Sequence, residues 1–182
     1  MRALVVYESM FGNTKQVAEA IGEGMRSQVA RDLVEVNDAP TKVGPEVALL
    51  VVGGPTHAFG MSRLKTRQDA MTQAGKDQAS AGDGIREWLE SLDRAADGTP
   101  AAAFDTHIDK RVPGSAARAA EKRLRRLGYR IVGPAESFYV SGTPGPLVEG
   151  ELERARRWGE RLGASLPRTA TDDVSRPTRG TR

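Results

Sequence analysis

Four residues near the N-terminus have the types and spacing of an anion site: Ser9, Gly12, Asn13 and Thr14, within Tyr7-Glu8-Ser9-Met10-Phe11-Gly12-Asn13-Thr14. Two hydroxyls and an amide offer hydrogen bonds, and a glycine lets the backbone curl closely around a ligand. Lys15-Gln16-Val17-Ala18 follows at once, so the polar turn opens a helix. The first N–H groups of a helix lack intrahelical partners and carry positive potential. Together these features make a phosphate cradle. It is not a P-loop, because Gly12 is followed by Asn13, and not a dinucleotide fingerprint, because only one glycine lies in the turn. The plainer reading of the same residues is a strand-to-helix turn with Asn13 or Thr14 as N-cap. The chain has no cysteine, which removes a thiolate nucleophile, a thiolate metal site and a disulfide framework. Its two histidines, His57 and His107, are too few to predict a metal centre. Either imidazole could still serve as a proton donor.

The elements that must carry these groups follow from hydropathy. Ala3–Tyr7 is a short apolar run of the kind that makes a buried parallel strand, and Val17, Ile21, Met25 and Val29 recur at helical spacing after it. Leu33–Asn37 predicts a second strand and Val47–Gly53, the most apolar run, a central third. Gly54–Gly60 reads as a loop. Met61–Gly84 is a polar excursion with a partial helix near Thr66–Gln73, and excursions of that length are usually functional or mobile. Ile85, Trp88, Leu89 and Leu92 share a helical face; Pro100–Phe104 is a fourth strand, leading into a loop at Asp105–His107. A helix with Ala117, Ala120, Leu124 and Leu127 inward ends at Gly128. Tyr129–Tyr139 holds a fifth strand, around Arg130–Val132, with an irregular Gly133-Pro134 step. Pro144-Gly145-Pro146 leads into a last helix carrying Val148, Leu152, Ala155, Gly159 and Leu162 on one face, flanked by Trp158. The link between the second and third strands is too short for a full helix. Alternating strands and helices with long crossovers predict an α/β fold with an open parallel five-stranded doubly wound sheet. Residues 1–166 make its one domain. From Pro167 the chain is rich in Thr, Arg, Asp and Pro, so 167–182 is expected to be a disordered tail.

Bulk numbers exclude some functions. No apolar run approaches the roughly 20 residues of a membrane span, and the start of the chain lacks a signal-peptide pattern; a cytoplasmic location is expected. Of the net charge of +3, four Arg and two Asp beyond Leu166 account for +2. The rest is near neutral, which does not predict nucleic-acid binding. Arg118, Lys122, Arg123, Arg125, Arg126 and Arg130 nevertheless concentrate on and after the fourth helix. They make either a solvated face or a docking surface for an acidic redox partner. No aromatics are interleaved for stacking on bases. Arg63, Lys65 and Arg67 could steer an anionic partner or the phosphate of a nicotinamide cofactor.

The Ser9–Thr14 turn resembles the first loop of the flavodoxin family, which holds the phosphate of flavin mononucleotide (FMN). The stretch Gly54-Pro55-Thr56-His57-Ala58-Phe59-Gly60-Met61-Ser62 resembles the loop by which flavodoxin-like proteins, including flavin-dependent quinone reductases of that fold, wrap the ribityl chain and ring. The resemblance spans roughly residues 1–165. It implies strand order 2-1-3-4-5, with a ligand site beyond the carboxyl ends at the switch point. It also implies FMN as cofactor. Ser9, Met10, Phe11, Gly12, Asn13 and Thr14 would then hold the phosphate, and Thr56 would bond the ribityl or phosphate region. Pro55 and His57 would lie along the same loop. Backbone amides between Ala58 and Gly60 would meet the pyrimidine edge, and Phe59 would lie against the isoalloxazine. Asp105, Thr106 and His107 stand where the family places its second flavin-contacting segment. That match is poor, because His107, Lys110 and Arg111 replace the acidic or aromatic residues common there. If His107 or Lys110 neared the pyrimidine edge, its charge would favour the reduced, negatively charged ring and make the potential less negative. The implied function is electron transfer between a reductase and an acceptor protein. The alternatives are an enzyme that oxidises NAD(P)H and reduces a quinone, and a cofactor-free interaction module. No oligomeric state follows from the sequence.

Overall fold

The computed structural model describes residues 1–57, 60–73, 82–96, 98–108 and 113–167. Strand β1 (Arg2–Tyr7) is buried from Ala3 onward, as an apolar run covered on both faces should be. Helix α1 (Asn13–Met25) follows it; Val29, expected on the same stripe, lies beyond the helix end and packs on the core from the next turn. Strand β2 (Ala30–Glu35) pairs parallel with β1. The short second link contains only a 3₁₀ turn at Val36–Asp38 before β3 (Val47–His57), which pairs parallel on the other side of β1. A two-residue strand β4 (Gly60–Met61) returns antiparallel along the end of β3. Helix α2 (Leu64–Gln73) then starts two residues before the expected partial helix.

Helix α3 (Ile85–Ser91) precedes β5 (Pro100–Ile108), which pairs parallel with β3. Helix α4 (Ala116–Arg126) leads to β6 (Arg130–Ile131) and β7 (Glu136–Val140), both parallel to β5, and α5 (Glu151–Ala164) ends the fold. The sheet runs β2-β1-β3-β5, with β6 and β7 sharing the fifth position. This is the order 2-1-3-4-5 of an open doubly wound sheet, its last strand split around the Gly133-Pro134 step, where proline has no amide for the ladder. α1 and α5 cover one face over Val5, Leu49, Val51, Phe104 and Phe138; α3 and α4 cover the other over Leu4, Leu50, Val52 and Ala103.

Three local expectations are corrected. Asp105–His107 is strand, not loop, because β7 pairs along it from Phe104↔Glu136 to Ile108↔Val140 and satisfies its backbone groups. Pro55–His57 is also strand, held by β5 and then by β4. On α5, Trp158 is core and Leu152 is 41% exposed; the inward face is Ala155, Trp158, Gly159 and Leu162. Residues 74–81 of the long excursion and 168–182 of the expected tail lie outside the described residues. Among the described residues no helix is long and apolar enough to cross a membrane.

α1 and α5 cross backbone to backbone. A methyl at Gly159 would overlap the Ile21 carbonyl, and one at Gly24 the Arg156 carbonyl. Overpacking of this kind costs about 1–3 kcal/mol, against about 1 kcal/mol of gained helix propensity. Because the opposing atoms are backbone and cannot rotate away, Gly159→Ala is expected to destabilise by about 2 kcal/mol. In a chain of this size that lowers a thermal midpoint by about 4–8 °C. A midpoint unchanged or raised would mean the helices do not approach this closely.

Candidate functional site

The turn after β1 is built around Gly12, whose φ of +87° is a left-handed conformation costing an L residue roughly 1–2 kcal/mol. Gly12, not Asn13 or Thr14, is the N-cap of α1, and it brings no side chain. The capping is done from outside by Ser9, whose Oγ accepts from the amides of Gly12 (3.1 Å) and Lys15 (3.2 Å). Its own O–H is left to donate. The amides of Asn13 and Thr14 belong to the first helical turn, which supplies them no acceptor. The helix thus presents N–H groups and positive potential to whatever lies before it. The side chains beside them are committed to neighbours. Asn13 Nδ2 donates to the Pro144 carbonyl at 3.1 Å, and Thr14 Oγ1 lies 2.8 Å from Thr106 Oγ1.

In front of this turn is a cleft of about 210 Å³ lined by Met10, Phe11, Asn13, Thr14, Pro55, Thr56, His57, Thr106, Ile108, Val140 and Thr143. The ends of β1, β3 and β5 meet there, as the switch point of such a sheet requires. Eight of the eleven come from the expected set; Ile108, Val140 and Thr143 do not. The last two arrive because Asn13 is tied to the Pro144 turn, a contact 131 residues apart in sequence. The only trace of it in the sequence is the Pro144-Gly145-Pro146 turn itself.

Of the other expected residues, Gly60 sits in β4 opposite His57, and Ala58 and Phe59 lie outside the described residues. Asp105 and His107 alternate with Thr106 and Ile108 along β5 and so point to the other face. Asp105, fully buried, accepts through Oδ2 from Thr56 Oγ1 (2.9 Å), Ser115 Oγ (2.6 Å) and the Ala117 amide (2.9 Å). It anchors the start of α4 to the sheet, a positioning role. Thr56 Oγ1 also accepts from the Ala116 amide at 2.8 Å. Its proton is therefore given to Asp105, and one lone pair is left to accept from a ligand in the cleft that Thr56 lines. His107 packs edge-on to Tyr139 with Nδ1 2.7 Å from the Ile108 carbonyl, away from the cleft. Any charge effect of His107 on a ligand there would act from across the sheet. Lys110 and Arg111 lie outside the described residues.

Arg67 is not at the surface. It is 5% exposed, and its Nη1 donates to Ser62 Oγ (3.0 Å) and Glu87 Oε2 (3.0 Å). Ser62 Oγ donates in turn to Glu8 Oε1 at 2.6 Å, and Glu8 Oε2 accepts from the Ile85 amide at 2.9 Å. This buried network fastens the end of β1, the β3–β4 hairpin, α2 and α3 to one another beside the cleft. No sequence pattern singled out Glu8. Burial pushes its carboxyl above the ordinary 4.5, only partly offset by Ser62, the Ile85 amide and Arg67. Glu87 goes the other way: burial is outweighed by the amides of Glu87 and Gly84 and by Arg67. Burial, and then the charge of Arg67, also hold His57 below its ordinary 6.5. Its Nε2 is buried with no partner among the described residues.

The raised Glu8 carboxyl gives a pH signature. Its contribution to stability is full below 4.5 and is lost as pH rises through the folded value. Gln at this position has no such dependence. The melting temperature of Glu8→Gln minus that of the unsubstituted protein is expected to rise as the pH is raised above 4.5, each kcal/mol appearing as about 2–4 °C. A difference that stays constant or falls with pH would contradict a buried, reluctantly ionised Glu8.

An anion-accepting helix start at one end, with apolar Met10, Phe11, Pro55, Ile108 and Val140 along the walls, fits a molecule with a phosphate and an apolar body. The family model described as Flavodoxin matches residues 5–158. Nothing among curated protein sequences matches. The chain is similar in structure to a flavodoxin from Streptococcus pneumonia TIGR4, with TM-score 0.64 and 17% identity over 91% of this chain and 100% of that one. Flavodoxin 2 from Bacillus cereus gives 0.62 and 19%, over 91% and 97%. A flavodoxin from the domain Archaea gives 0.59 and 23%, over 90% and 97%.

Proposed function

The chain belongs to the flavodoxin family, and from that premise we propose that it binds FMN in the cleft at the β1–α1 turn and carries electrons between a reductase and an acceptor. The observation that carries this reading is the turn itself. A left-handed Gly12 and the Ser9 hydroxyl set the first amides of α1 at the mouth of a cleft walled by the ends of β3 and β5. Those amides and the Ser9 O–H would hold the phosphate. Met10, Phe11 and Pro55 would exclude water from the ring, and Thr106 with Thr14 would close the floor. A bound flavin supplies the electron chemistry; the protein supplies binding, orientation and electrostatics.

The second reading, an enzyme reducing a quinone with NAD(P)H, draws on His57, which borders the cleft and whose Nε2 has no partner among the described residues. Held neutral by burial and Arg67, it offers a hydrogen bond but no charged proton reserve at neutral pH, which weighs toward the carrier. The visible spectrum of freshly purified protein tests the shared part: flavin absorbance is expected, and a colourless protein that takes up no FMN would leave only an interaction module. Steady-state NAD(P)H oxidation with a quinone, without added reductase, separates the two redox readings. A carrier turns over slowly; rapid turnover would establish the enzyme.

A further inference from the structure

Surface charge is spread unevenly over the helices. α4 carries five basic residues and one acidic, Glu121. Arg123 turns inward to the Leu89 carbonyl (3.2 Å), and Arg125 pairs with Glu121 (2.8 Å). Arg118, Lys122 and Arg126 are exposed, and none has an ion-pair partner among the described residues. Their spacing of four sets them along one edge of the helix, over about 12 Å. On α5 the exposed Arg156, Arg157 and Arg161 are interleaved with Glu153 and Glu160, and on α1 Lys15 with Glu19 and Glu23. The basic edge of α4 has no such interleaving.

The edge begins beside a residue that lines the cleft: the amide of Ala116, two residues before Arg118, donates to Thr56, and that of Ala117 to Asp105. β4 packs against α4, and the residues just after β4 are Arg63, Leu64 and Lys65, all exposed. Leu64, 50% exposed, places an apolar contact among these cations. We propose that Arg63, Leu64 and Lys65 together with the Arg118–Lys122–Arg126 edge form the docking surface for an acidic redox protein. The assignment rests on the electron-carrier reading and names the charge of the partner. A row of about 12 Å on one helix, with a second group on another, is longer than any single phosphate group can engage. It matches the dimensions of a protein surface, over which charges separated by about one Debye length, ~10 Å at 0.1 M salt, still act together. Such fields raise association rates by about 10–10³-fold at low ionic strength.

The test uses the FMN-loaded protein, reduced with dithionite, and plastocyanin as an acidic one-electron acceptor; one electron passes to copper(II), giving copper(I). Arg118→Glu/Lys122→Glu is compared with Arg157→Glu/Arg161→Glu on α5, which changes net charge equally on the opposite face. The stopped-flow rate of the unsubstituted protein is expected to fall about tenfold from low salt to about 0.3 M. The α4 pair is expected to lower the low-salt rate by about tenfold, and the α5 pair by less than about threefold. Equal slowing by both pairs, or a salt-independent rate, would overturn the proposal, as would tighter binding of a short DNA duplex than of plastocyanin at the same salt. If the protein takes up no FMN, the electron-carrier reading fails by itself. Calorimetric titration of plastocyanin into the unloaded chain and the same two variants then decides the surface by the same ordering.

Discussion

Alanine in place of Trp158 is expected to cost the fold about 3–5 kcal/mol, the largest effect on stability from any single change considered. The indole is 4% exposed and meets Phe104 and Phe138 edge-to-face, with ring centroids 6.3 and 6.1 Å away; the two phenylalanines meet each other at 6.3 Å. Each such pair contributes about 0.5–1.5 kcal/mol beyond the area it buries. The triad comes from β5, β7 and α5, so it joins both late strands to the helix that covers them. No neighbour is placed to fill the void, since α5 already touches α1 at Gly24 and Gly159. A thermal melt of Trp158→Ala is expected to shift down by about 6–20 °C. A shift of less than about 2 °C would place Trp158 outside the core.

Valine at Gly12 is expected to weaken FMN binding by tenfold to a hundredfold while leaving binding of riboflavin, which has no phosphate, nearly unchanged. At φ +87° an L side chain is strained by about 1–2 kcal/mol even though the space around the Cα is open, and a β-branched residue is less tolerant still. The turn relieves the strain by moving, and the amides of Asn13 and Thr14 move with it. Each lost charge-assisted hydrogen bond costs about 1.5–3 kcal/mol, or about ten- to a hundredfold in affinity. Fluorescence titration with each flavin reads this directly. An equal loss for FMN and riboflavin would mean that the turn does not hold the phosphate.

The wound parallel sheet and the turn after its first strand are legible in the sequence because each rests on local signals, whereas the strand order comes only with the resemblance to a family. The Ala3–Tyr7 run reads as a buried parallel strand and Val47–Gly53, the most apolar, as a central one, and the polar residues between the first run and an amphipathic helix mark the turn. What was not legible depends on partners distant in the chain. Asp105–His107 looks like a loop until β7 is laid beside it, and that pairing decides that Thr106 faces the cleft while Asp105 and His107 do not. Thr56 reads in the sequence as a ligand contact alone, whereas its hydroxyl also ties Asp105 to the Ala116 amide at the start of α4. Nothing local marks Glu8 and Arg67 as buried, since no pattern says that a glutamate at a strand end will pack against Ser62. The spacing of Leu152 suits an inward stripe with Ala155, Gly159 and Leu162, whereas Trp158 and the close Gly159 crossing set the actual inward face.

The measurement closest to the central claim is an equilibrium titration of flavin-free protein with FMN and, in parallel, with riboflavin, followed by flavin fluorescence. Stoichiometric quenching by one equivalent of FMN, with riboflavin bound at least about a hundredfold more weakly, is the expected result. Fluorescence that stays unquenched at excess FMN, or equal affinity for the two flavins, would contradict a cleft organised around the phosphate-holding turn of β1 and α1.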